Sequence, residues 1–229
     1  MVQRHVESAN EPVLRVVCMS DTHQLHRELE VPTGDILIHA GDFTLFGRTR
    51  QSIRDFNDWL GGLPHQSKIV VPGNHEFALE ADPSLRDLLS NATVLVNESC
   101  EVGGLRIWGS PVTDLYGGAF GSWESSERKR VYDRIPPGTD VLVTHAAPLG
   151  ILDSSPGSAL HAGCPILLDA VMRINPLVHV FGHVHAGYGT ALVGNTRFVN
   201  AALVNEEGDI GNQPIVIDLP LCARRRDLS

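Results

Sequence analysis

The sequence predicts a single α/β domain, with one β-sheet or a pair of sheets in the middle and helices outside. Its 229 residues, 42% hydrophobic and 20% charged, are ordinary for a folded protein. Short apolar runs alternate with helix-like segments, and several runs are continuous in Val, Ile and Leu, as in strands covered on both faces. No repeat or long linker divides the chain. We therefore expect one domain over residues 1–229, with flexible termini at 1–12 and 222–229.

The predicted elements alternate along the chain. Strands are expected at 13–19, 35–39, 68–72, 93–96, 140–144, 177–181, 197–201 and 214–218. EVGGLRIWG predicts a hairpin that turns at Gly103-Gly104, and ALVGNTRFVN predicts another that turns at Gly194-Asn195. Helices are expected at 49–61, 83–90, 124–134 and 160–174, the third capped by Ser125 or Ser126. The Gly- and Ser-rich segment 113–126 is expected to be a loop beside a functional site.

The charge balance and the cysteines exclude several classes of protein. With 27 acidic and 18 basic residues, the formal net charge is -9, which argues against a nucleic-acid-binding protein with a basic face. A phosphate-bearing substrate stays possible, because bound cations can reverse the local charge. The N-terminal sequence is not expected to be a secretory signal, and no long apolar run predicts a membrane span. The four cysteines are widely spaced, so we expect a reducing, cytoplasmic location without disulfides.

Polar side chains follow five of the predicted strands, at the point where each strand ends. They lie in Asp21-Thr22-His23, Gly41-Asp42, Gly73-Asn74-His75-Glu76, His145 and Gly182-His183-Val184-His185. Ligands of open α/β sheets bind at the carboxyl ends of the strands, so these side chains are expected to converge. One such ending alone would be interpreted as an ordinary turn, but five together favour a functional site. Gly41, Gly73 and Gly182 would allow tight turns and a close approach of the backbone.

The side chains at these endings are typical metal ligands. The candidates are Asp21, His23, Asp42, Asn74, His145, His183 and His185. Oxygen and imidazole donors without a thiolate suit Mn²⁺, Fe or Zn²⁺ and exclude neither Co nor Ni. Cages for Ca²⁺ or Mg²⁺ would use fewer imidazoles. So many ligands exceed what one catalytic ion with an open position needs, and two divalent ions sharing a carboxylate are expected.

These five segments resemble the calcineurin-like metallophosphoesterase superfamily, whose motifs are Asp-x-His, Gly-Asp, Gly-Asn-His-Asp/Glu, a later His, and Gly-His-x-His. Every motif is complete between residues 21 and 185. IWGSP, HVFGHVHAGYG and Gly163-Cys164 are similar to the branch of metallophosphoesterase-domain-containing (MPPED-type) proteins. The resemblance implies a two-sheet β-sandwich flanked by helices.

The resemblance also implies how the ligands are divided and which residues are catalytic. One metal would be held by Asp21, His23, Asp42 and His185, and the other by Asp42, Asn74, His145 and His183. Asp42 would bridge the two ions, and a metal-bridging hydroxide would attack phosphorus. His75 would face the substrate as the general acid. Glu76 would orient His75 or fix its loop, or would be a plain surface glutamate.

A dinuclear metal-dependent phosphoesterase is therefore the expected function, with a small phosphate ester, such as a nucleotide, as substrate. The branch favours phosphodiesters such as cyclic nucleotides, while phosphomonoesters and protein phosphates stay open. The alternative is a nucleotide- or metal-binding regulatory module with weak or vestigial hydrolysis. A hydrolase of other esters lacks support, because no Gly-x-Ser-x-Gly nucleophile elbow occurs. Nothing in the sequence predicts an oligomeric state.

For other residues near the motifs, the sequence predicts positions and roles less specifically. The histidines without a pattern partner, expected at the surface or in the core, are His5, His26, His39, His65 and His179. His39 is a candidate neighbour of the ligands, and His161 a candidate for substrate contact. Side chains that could stack on a base are Phe46, Trp108 and Tyr188, although core packing is the safer expectation for Trp108. Arg48 and Arg50 would meet a phosphate or solvent, Cys164 would be packed, and Arg224–Arg226 would be a solvated tail.

Overall fold

The structure is a computed structural model that describes residues 13–114, 118–154 and 159–220. Two β-sheets lie face to face with helices against their outer surfaces, which confirms the predicted α/β sandwich. Several expectations fall outside the described residues. These are the flexible termini at 1–12 and 222–229, His5, and the basic tail Arg224–Arg226.

The first sheet has five strands. They are β1 (Val13–Met19), β2 (Ile36–His39), β3 (Ser67–Val70), β4 (Thr93–Val94) and β11 (Ile215–Pro220). Their order across the sheet is β11-β1-β2-β3-β4. The strands from β1 to β4 run parallel, and β11 pairs antiparallel with β1. The carboxyl ends of β1, β2 and β3 therefore lie at one edge.

The second sheet has six strands. They are β5 (Glu98–Val102), β6 (Leu105–Ser110), β7 (Val141–Thr144), β8 (Val178–Phe181), β9 (Gly189–Val193) and β10 (Thr196–Asn200). Their order is β5-β6-β7-β8-β10-β9. The four central strands are parallel, and the antiparallel pairs β5–β6 and β9–β10 are the two predicted hairpins.

The helices differ from the prediction in several places. They are α1 (Arg50–Gly61), α2 (Phe77–Ala81), α3 (Ser125–Tyr132) and α4 (Pro165–Ile174), with 3-10 turns at His26–Glu28, Pro83–Leu88 and His185–Gly187. The predicted helix 83–90 is only a 3-10 turn, and α2 was not predicted. The expected cap at Ser125 or Ser126 is wrong, since Glu124 precedes α3. Within the described ranges, none of the helices has the length and apolar character that crossing a membrane requires.

The predicted helix at 160–174 begins too early, because the helix-like pattern extends further back than the helix itself. The helix α4 begins at Pro165, a residue that lacks an N–H and is favoured in the first turn. It ends where Asn175 adopts a left-handed conformation. Residues 160–164 instead form the connection that enters the helix.

Alternating side chains of the strands build the core. Val16 and Cys18 of β1 point between the sheets, where they join a cluster drawn from both. Val17 and Met19 point outward and pack in the cluster that contains Phe56 of α1. A third cluster packs α3 and α4 against the outer face of the second sheet. Because both sheet faces are covered, the central strands are largely apolar, although Arg15, His179 and Arg197 lie within β1, β8 and β10. The candidate ligands follow where the strands end.

Candidate metal centre

The loops that follow the parallel strands of both sheets contact one another at one edge of the sandwich. The backbone N–H of Asp21, after β1, donates to the carbonyl of Gly41, after β2, at 2.9 Å. The N–H of Gly182, after β8, donates to the carbonyl of His145, after β7, at 3.2 Å. These backbone hydrogen bonds continue the pairing of the strands beyond their ends, so the polar residues of distant segments are carried into one place.

Four of the expected site residues have left-handed backbones. Their φ angles are 52° for Asp21, 42° for His23, 55° for Asp42 and 68° for His183. This region is unfavourable for residues with a Cβ atom, and such conformations concentrate at functional sites where the surrounding structure enforces them. The concentration of these angles in the loops after β1, β2 and β8 marks the same edge as the side-chain chemistry.

Two of the three glycines that precede candidate ligands show why a side chain is not tolerated there. Gly41 has a φ of 110°, and a Cβ added to it would collide with the ring of His145. A Cβ on Gly182 would collide with the carboxylate of Asp21 and the hydroxyl of Ser20. The backbone therefore approaches the candidate ligands too closely for any residue but glycine, as the sequence predicts.

The first group of candidate ligands consists of Asp21, His23 and His185, whose donor atoms lie within 4.8 Å of one another. The Nδ1 atom of His23 is 3.3 Å from the carbonyl of Thr44, and that of His185 is 3.2 Å from the carbonyl of Asn205. Carbonyl oxygens only accept, so each Nδ1 carries a proton. The two Nε2 atoms consequently face each other across 3.4 Å, and that of His185 also lies 3.5 Å from Oδ1 of Asp21. This arrangement suits a shared proton or cation.

Asp21 is the anion of this first group. Its side chain is fully buried, and its two carboxylate oxygens accept from the backbone N–H of His183 at 3.2 and 3.0 Å. Burial alone would raise the pKa of Asp21, but hydrogen bonding to His185 and the nearby imidazoles hold that pKa well below its usual range. Asp21 is thus an ionised carboxylate, the form that binds metal ions.

The second group of candidate ligands consists of Asp42, His145 and His183, again within 4.8 Å. Asn74 joins it, since its Oδ1 atom is 2.8 Å from the Nε2 atom of His145. The Oδ2 atom of Asp42 is 3.2 Å from the same nitrogen. The Nδ1 atom of His145 donates to the carbonyl of Ala40 at 2.9 Å, which leaves Nε2 directed at the two oxygens.

The electrostatics of the second group favour a positive charge between its members. Burial lowers the pKa of His145, but the charge and hydrogen bond of Asp42 outweigh it and raise that pKa to about 10. His183, by contrast, has its pKa lowered to about 4, chiefly by burial. The same carboxylates that hold a proton on His145 would hold a divalent cation in its place. The donor set therefore fits metal ions such as Mn²⁺, Fe or Zn²⁺.

His75 lies beside Asp42 at the open side of the cluster. Its Nε2 atom is 3.8 Å from Oδ2 of Asp42, and its backbone N–H donates to Oδ1 of Asp42 at 2.8 Å. The distances would allow a third group made of His23, Asp42 and His75. However, the N–H of Phe46 donates to Nδ1 of His75 at 3.2 Å, so the proton of the neutral ring is on Nε2. The neutral ring of His75 therefore presents an N–H group, and not a lone pair, to the site.

Glu76 is buried and joins the loops after β2 and β3. Its Oε2 atom accepts from the N–H groups of Asp42 at 2.9 Å and Gly73 at 2.6 Å. Its Oε1 atom accepts from the N–H and the hydroxyl of Thr44, both at 2.9 Å. Burial, together with the charge of Asp42, raises its pKa to about 7. Of the roles considered for Glu76, the structure supports fixing the loop, and the surface position is wrong.

A cavity of about 500 Å³ opens above the cluster. It is lined by His23, Leu25, Asp42, Leu45, Asn74, His75, His183, His185, Val204, Asn205, Glu206, Glu207 and Gly208. Residues 204–208 were not expected here, because no motif marks them. They reach the site through backbone pairing: the N–H of Leu203 donates to the carbonyl of Ser20 at 3.0 Å, and that of Val204 to the carbonyl of Asp21 at 3.2 Å.

The other histidines behave largely as expected. Those buried in the described part of the chain are His26, His39, His65 and His179. His39 contacts the ligand loops: its Nδ1 atom accepts from the N–H of Gly41 at 3.3 Å, and its Nε2 atom is 3.1 Å from the hydroxyl of Thr22. His161 is not among the residues that line the cavity; its Nδ1 atom is 2.7 Å from the buried carboxylate of Asp153.

The aromatic and arginine candidates are divided between packing and the rim of the site. Trp108 is buried in the core, and the hydroxyl of Tyr188 donates to the carbonyl of Gln213 at 2.8 Å. Phe46 is exposed and stacks on His75, with ring centroids 4.4 Å apart. Arg48 lies over the ring of Phe77 at 4.7 Å, and Arg50 is 3.6 Å from Asp82. Cys164 is packed, as expected.

Comparison with known proteins identifies similar chains and folds. A sequence model of the family described as Calcineurin-like phosphoesterase matches residues 14–187. Metallophosphoesterase domain-containing protein 1 of Homo sapiens is 39% identical over 232 residues, which cover 90% of this chain and 71% of that protein. UPF0046 protein C25E10.12 of Caenorhabditis elegans is 39% identical over 233 residues, which cover 92% of this chain and 83% of that protein.

Among solved structures, the crystal structure of TT1561 of Thermus thermophilus has a similar fold. The two structures superimpose with a TM-score of 0.56 at 14% sequence identity, over 82% of this chain and 89% of the other. At that identity the likeness concerns the arrangement of strands and helices alone.

Proposed function

The chain belongs to the calcineurin-like phosphoesterase family, and we propose that it is a dinuclear metal-dependent phosphodiesterase. The observation that carries this proposal is the division of the candidate ligands into two groups, with Asp42 of the second also within 4.8 Å of His23 of the first. One group is Asp21, His23 and His185, and the other is Asp42, His145 and His183. A carboxylate between two such groups has one oxygen to offer to each of two ions.

The proposed assignment of ligands uses every member of the cluster except His75. One ion would be held by Asp21, His23, Asp42 and His185, and the other by Asp42, Asn74, His145 and His183. The donor chemistry supports Mn²⁺, Fe or Zn²⁺ in both positions. When bound, the two ions would neutralise the phosphoryl oxygens and acidify a water molecule.

His75 is the proposed catalytic donor of the chain itself. Its Nε2–H group faces the cavity side of Asp42, while its backbone is held by Asp42 and its Nδ1 atom by the N–H of Phe46. From this position it would give a hydrogen bond or a proton to the departing oxygen of the ester. Glu76 would keep the loops of Asp42 and His75 in register through its four accepted hydrogen bonds.

The lining of the cavity supports a diester over a more highly charged ester. None of the described residues that line it is Lys or Arg, whereas Glu206 and Glu207 add negative charge. A diester carries one negative charge at its phosphate and a monoester close to two, so the glutamates would repel the monoester more. Cyclic nucleotides are diesters of suitable size for a cavity of about 500 Å³, and they are the first class to test.

We also propose a small phosphate ester as the partner, rather than nucleic acid, and a cytoplasmic location. The net charge of -9 disfavours binding to a polyanion. The cysteines Cys18, Cys100 and Cys164 are free thiols, as in proteins of reducing compartments.

The proposal is tested by assaying purified protein with bis(p-nitrophenyl) phosphate, p-nitrophenyl phosphate and a panel of cyclic nucleotides. Each substrate is offered with Mn²⁺, with Zn²⁺ and with EDTA. We expect metal-dependent hydrolysis that is faster for the diesters than for the monoester and that EDTA abolishes. Tight nucleotide binding without metal-dependent turnover of any substrate would instead identify a regulatory module.

A further inference from the structure

We propose that Phe46 is a positioning residue that sets both the orientation of the His75 ring and the nitrogen that carries its proton. This inference rests on the proposed hydrolytic role of His75. Phe46 does not belong to any of the candidate ligand groups, and it acts on the site through one neighbour.

Phe46 contacts His75 through both its ring and its backbone. The two rings stack with centroids 4.4 Å apart and planes inclined by 30°. The backbone N–H of Phe46 also donates to the Nδ1 atom of His75 at 3.2 Å. The first contact fixes the plane of the imidazole, and the second fixes its flip state, because a rotated ring would present a C–H group to this donor.

The position of Phe46 is not explained by core packing. Its side chain is 61% exposed, so it gains little from burial, and its φ of 53° is unfavourable for a residue with a Cβ atom. The turn around it is held by the hydroxyl of Thr44, which accepts from the N–H of Gly47 at 3.1 Å and lies 3.1 Å from the carbonyl oxygen of His75. The turn thus aims the Phe46 N–H at His75.

The His75 ring also contacts the candidate metal centre. The His23 ring lies edge-on to it, with centroids 4.7 Å apart, and Nε2 lies 3.8 Å from Asp42. The ring of His75 therefore contacts both Phe46 and the candidate ligands. With Nδ1 occupied as an acceptor, the Nε2–H group is the one that remains for a departing oxygen of the substrate.

The first test is the tautomer of His75 in the metal-free protein, read from long-range ¹H–¹⁵N spectra of the imidazole nitrogens. The variant Phe46→Gly removes the ring while glycine tolerates the left-handed backbone. Phe46→Tyr keeps the ring. Asn175→Gly is the matched control, because Asn175 also has a positive φ, 51°, but ends α4. We expect the Nε2–H form in the wild type, the Tyr variant and the control. In Phe46→Gly we expect a mixture of both tautomers, because the backbone N–H of residue 46 is retained but the ring that holds Nδ1 of His75 against it is gone.

The second test is the dependence of hydrolysis on the leaving group, measured with aryl phosphodiesters whose phenols differ in acidity. A misplaced donor matters most when the departing oxygen is basic. We expect Phe46→Gly to lower kcat about tenfold for the poorest leaving group and about twofold for p-nitrophenolate. Both losses are smaller than the loss expected when a general acid is removed altogether. KM should change little, and Phe46→Tyr and Asn175→Gly should retain the wild-type profile.

The outcomes separate this inference from the proposed function. An unchanged Nε2–H tautomer in Phe46→Gly together with an equal rate loss for all leaving groups would overturn the positioning role. If the wild type hydrolyses no phosphodiester, the proposed function fails. The spectra of the metal-free protein still decide whether Phe46 sets the tautomer, and a mixture in the wild type would overturn the inference.

Discussion

The Nε2 atoms of His23 and His185 face each other across 3.4 Å, although the two residues are 162 positions apart in the chain. Each ring is held by a hydrogen bond from its Nδ1 atom to a backbone carbonyl, of Thr44 and of Asn205 respectively. Two lone pairs at this distance are stabilised by a cation or a proton between them. The geometry of this pair therefore supports a metal site at this edge of the sandwich.

Metal binding should stabilise the folded protein. At a Mn²⁺ or Zn²⁺ concentration about 100 times Kd, binding contributes about 2.7 kcal/mol, which raises Tm by about 5–10 °C in a chain of this size. Differential scanning fluorimetry with and without EDTA measures the shift. His185→Gln should reduce the shift, while His65→Gln should retain it, because His65 bonds to the carbonyl of Pro32 and belongs to neither group. Equal shifts in both variants would argue against His185 as a ligand.

Asp42 is the residue whose loss should affect both ions. Asp42→Ala removes the oxygen that faces His145 at 3.2 Å and the acceptor of the His75 N–H at 2.8 Å. We expect no measurable metal-dependent hydrolysis of bis(p-nitrophenyl) phosphate and a lower stoichiometry of bound metal, measured by elemental analysis. Asp169→Ala, which removes an exposed carboxylate of α4 that lines a separate pocket with residues of α3, is the control and should keep both properties. Two tightly bound ions in Asp42→Ala would contradict the bridging role.

His75 should matter for rate and not for metal content. Its Nδ1 atom accepts from Phe46, and its Nε2–H group is a donor, so a metal has no lone pair to bind there. We expect His75→Ala to retain the metal-induced rise in Tm while kcat falls by about 10²–10⁴, the range for lost general acid catalysis. Metal titration and steady-state kinetics on the same preparation separate the two properties. Unchanged turnover would remove His75 from the mechanism.

The fold and the position of the candidate site follow from local sequence patterns. The strands are recognisable because both faces of each sheet are covered, so apolar runs such as that of β1 are continuous and end abruptly. The polar residues after them, from Asp21 to His185, are brought to one edge because parallel strands share their direction. Glycines such as Gly182 mark where backbones approach these residues.

Other parts of the site have no local pattern. Residues 204–208 line the cavity only because Leu203 and Val204 pair with the loop after β1, a contact between segments about 180 positions apart. Glu76 follows His75 in an exposed-looking turn, and only the folded arrangement of the loops shows that four donors surround it. Phe46 likewise looks like a plain loop residue, since stacking on His75 depends on a turn geometry that composition does not encode.

Gly182 should be intolerant of even one additional carbon. In Gly182→Ala the new Cβ would collide with the carboxylate of Asp21 and the hydroxyl of Ser20, both fully buried. We expect the free energy of unfolding to fall by about 1–3 kcal/mol, as for other overpacked sites, and the metal-induced Tm shift to shrink because Asp21 is displaced. Urea unfolding measures the first effect. Gly62→Ala is the control, because its Cβ would meet only the carbonyl of Trp59 at 3.4 Å.

The buried His179 should make the metal-free protein sensitive to mild acid. Its ring lies beside Phe181 and Phe198, its Nε2 atom is 2.8 Å from the hydroxyl of Thr144, and burial lowers its pKa to about 3. In the unfolded chain the pKa of histidine is about 6.5. Below that pH the unfolded state binds a proton that the folded state does not, so the free energy of unfolding falls as the pH falls.

His179 alone should lower the free energy of unfolding by about 2 kcal/mol at pH 5, relative to pH 7 or above. Each pKa unit of difference between the folded and unfolded states corresponds to about 1.36 kcal/mol. His39, whose pKa is also lowered to about 3 by burial, adds to the slope in the wild type. Urea unfolding of the metal-free protein between pH 7 and pH 5 measures the total change in the free energy of unfolding. His179→Phe is expected to be less stable at pH 7, since the hydroxyl of Thr144 loses one of its two hydrogen-bond partners, but to have a shallower dependence of the free energy of unfolding on pH. Identical slopes in the two proteins would show that His179 takes up its proton without unfolding.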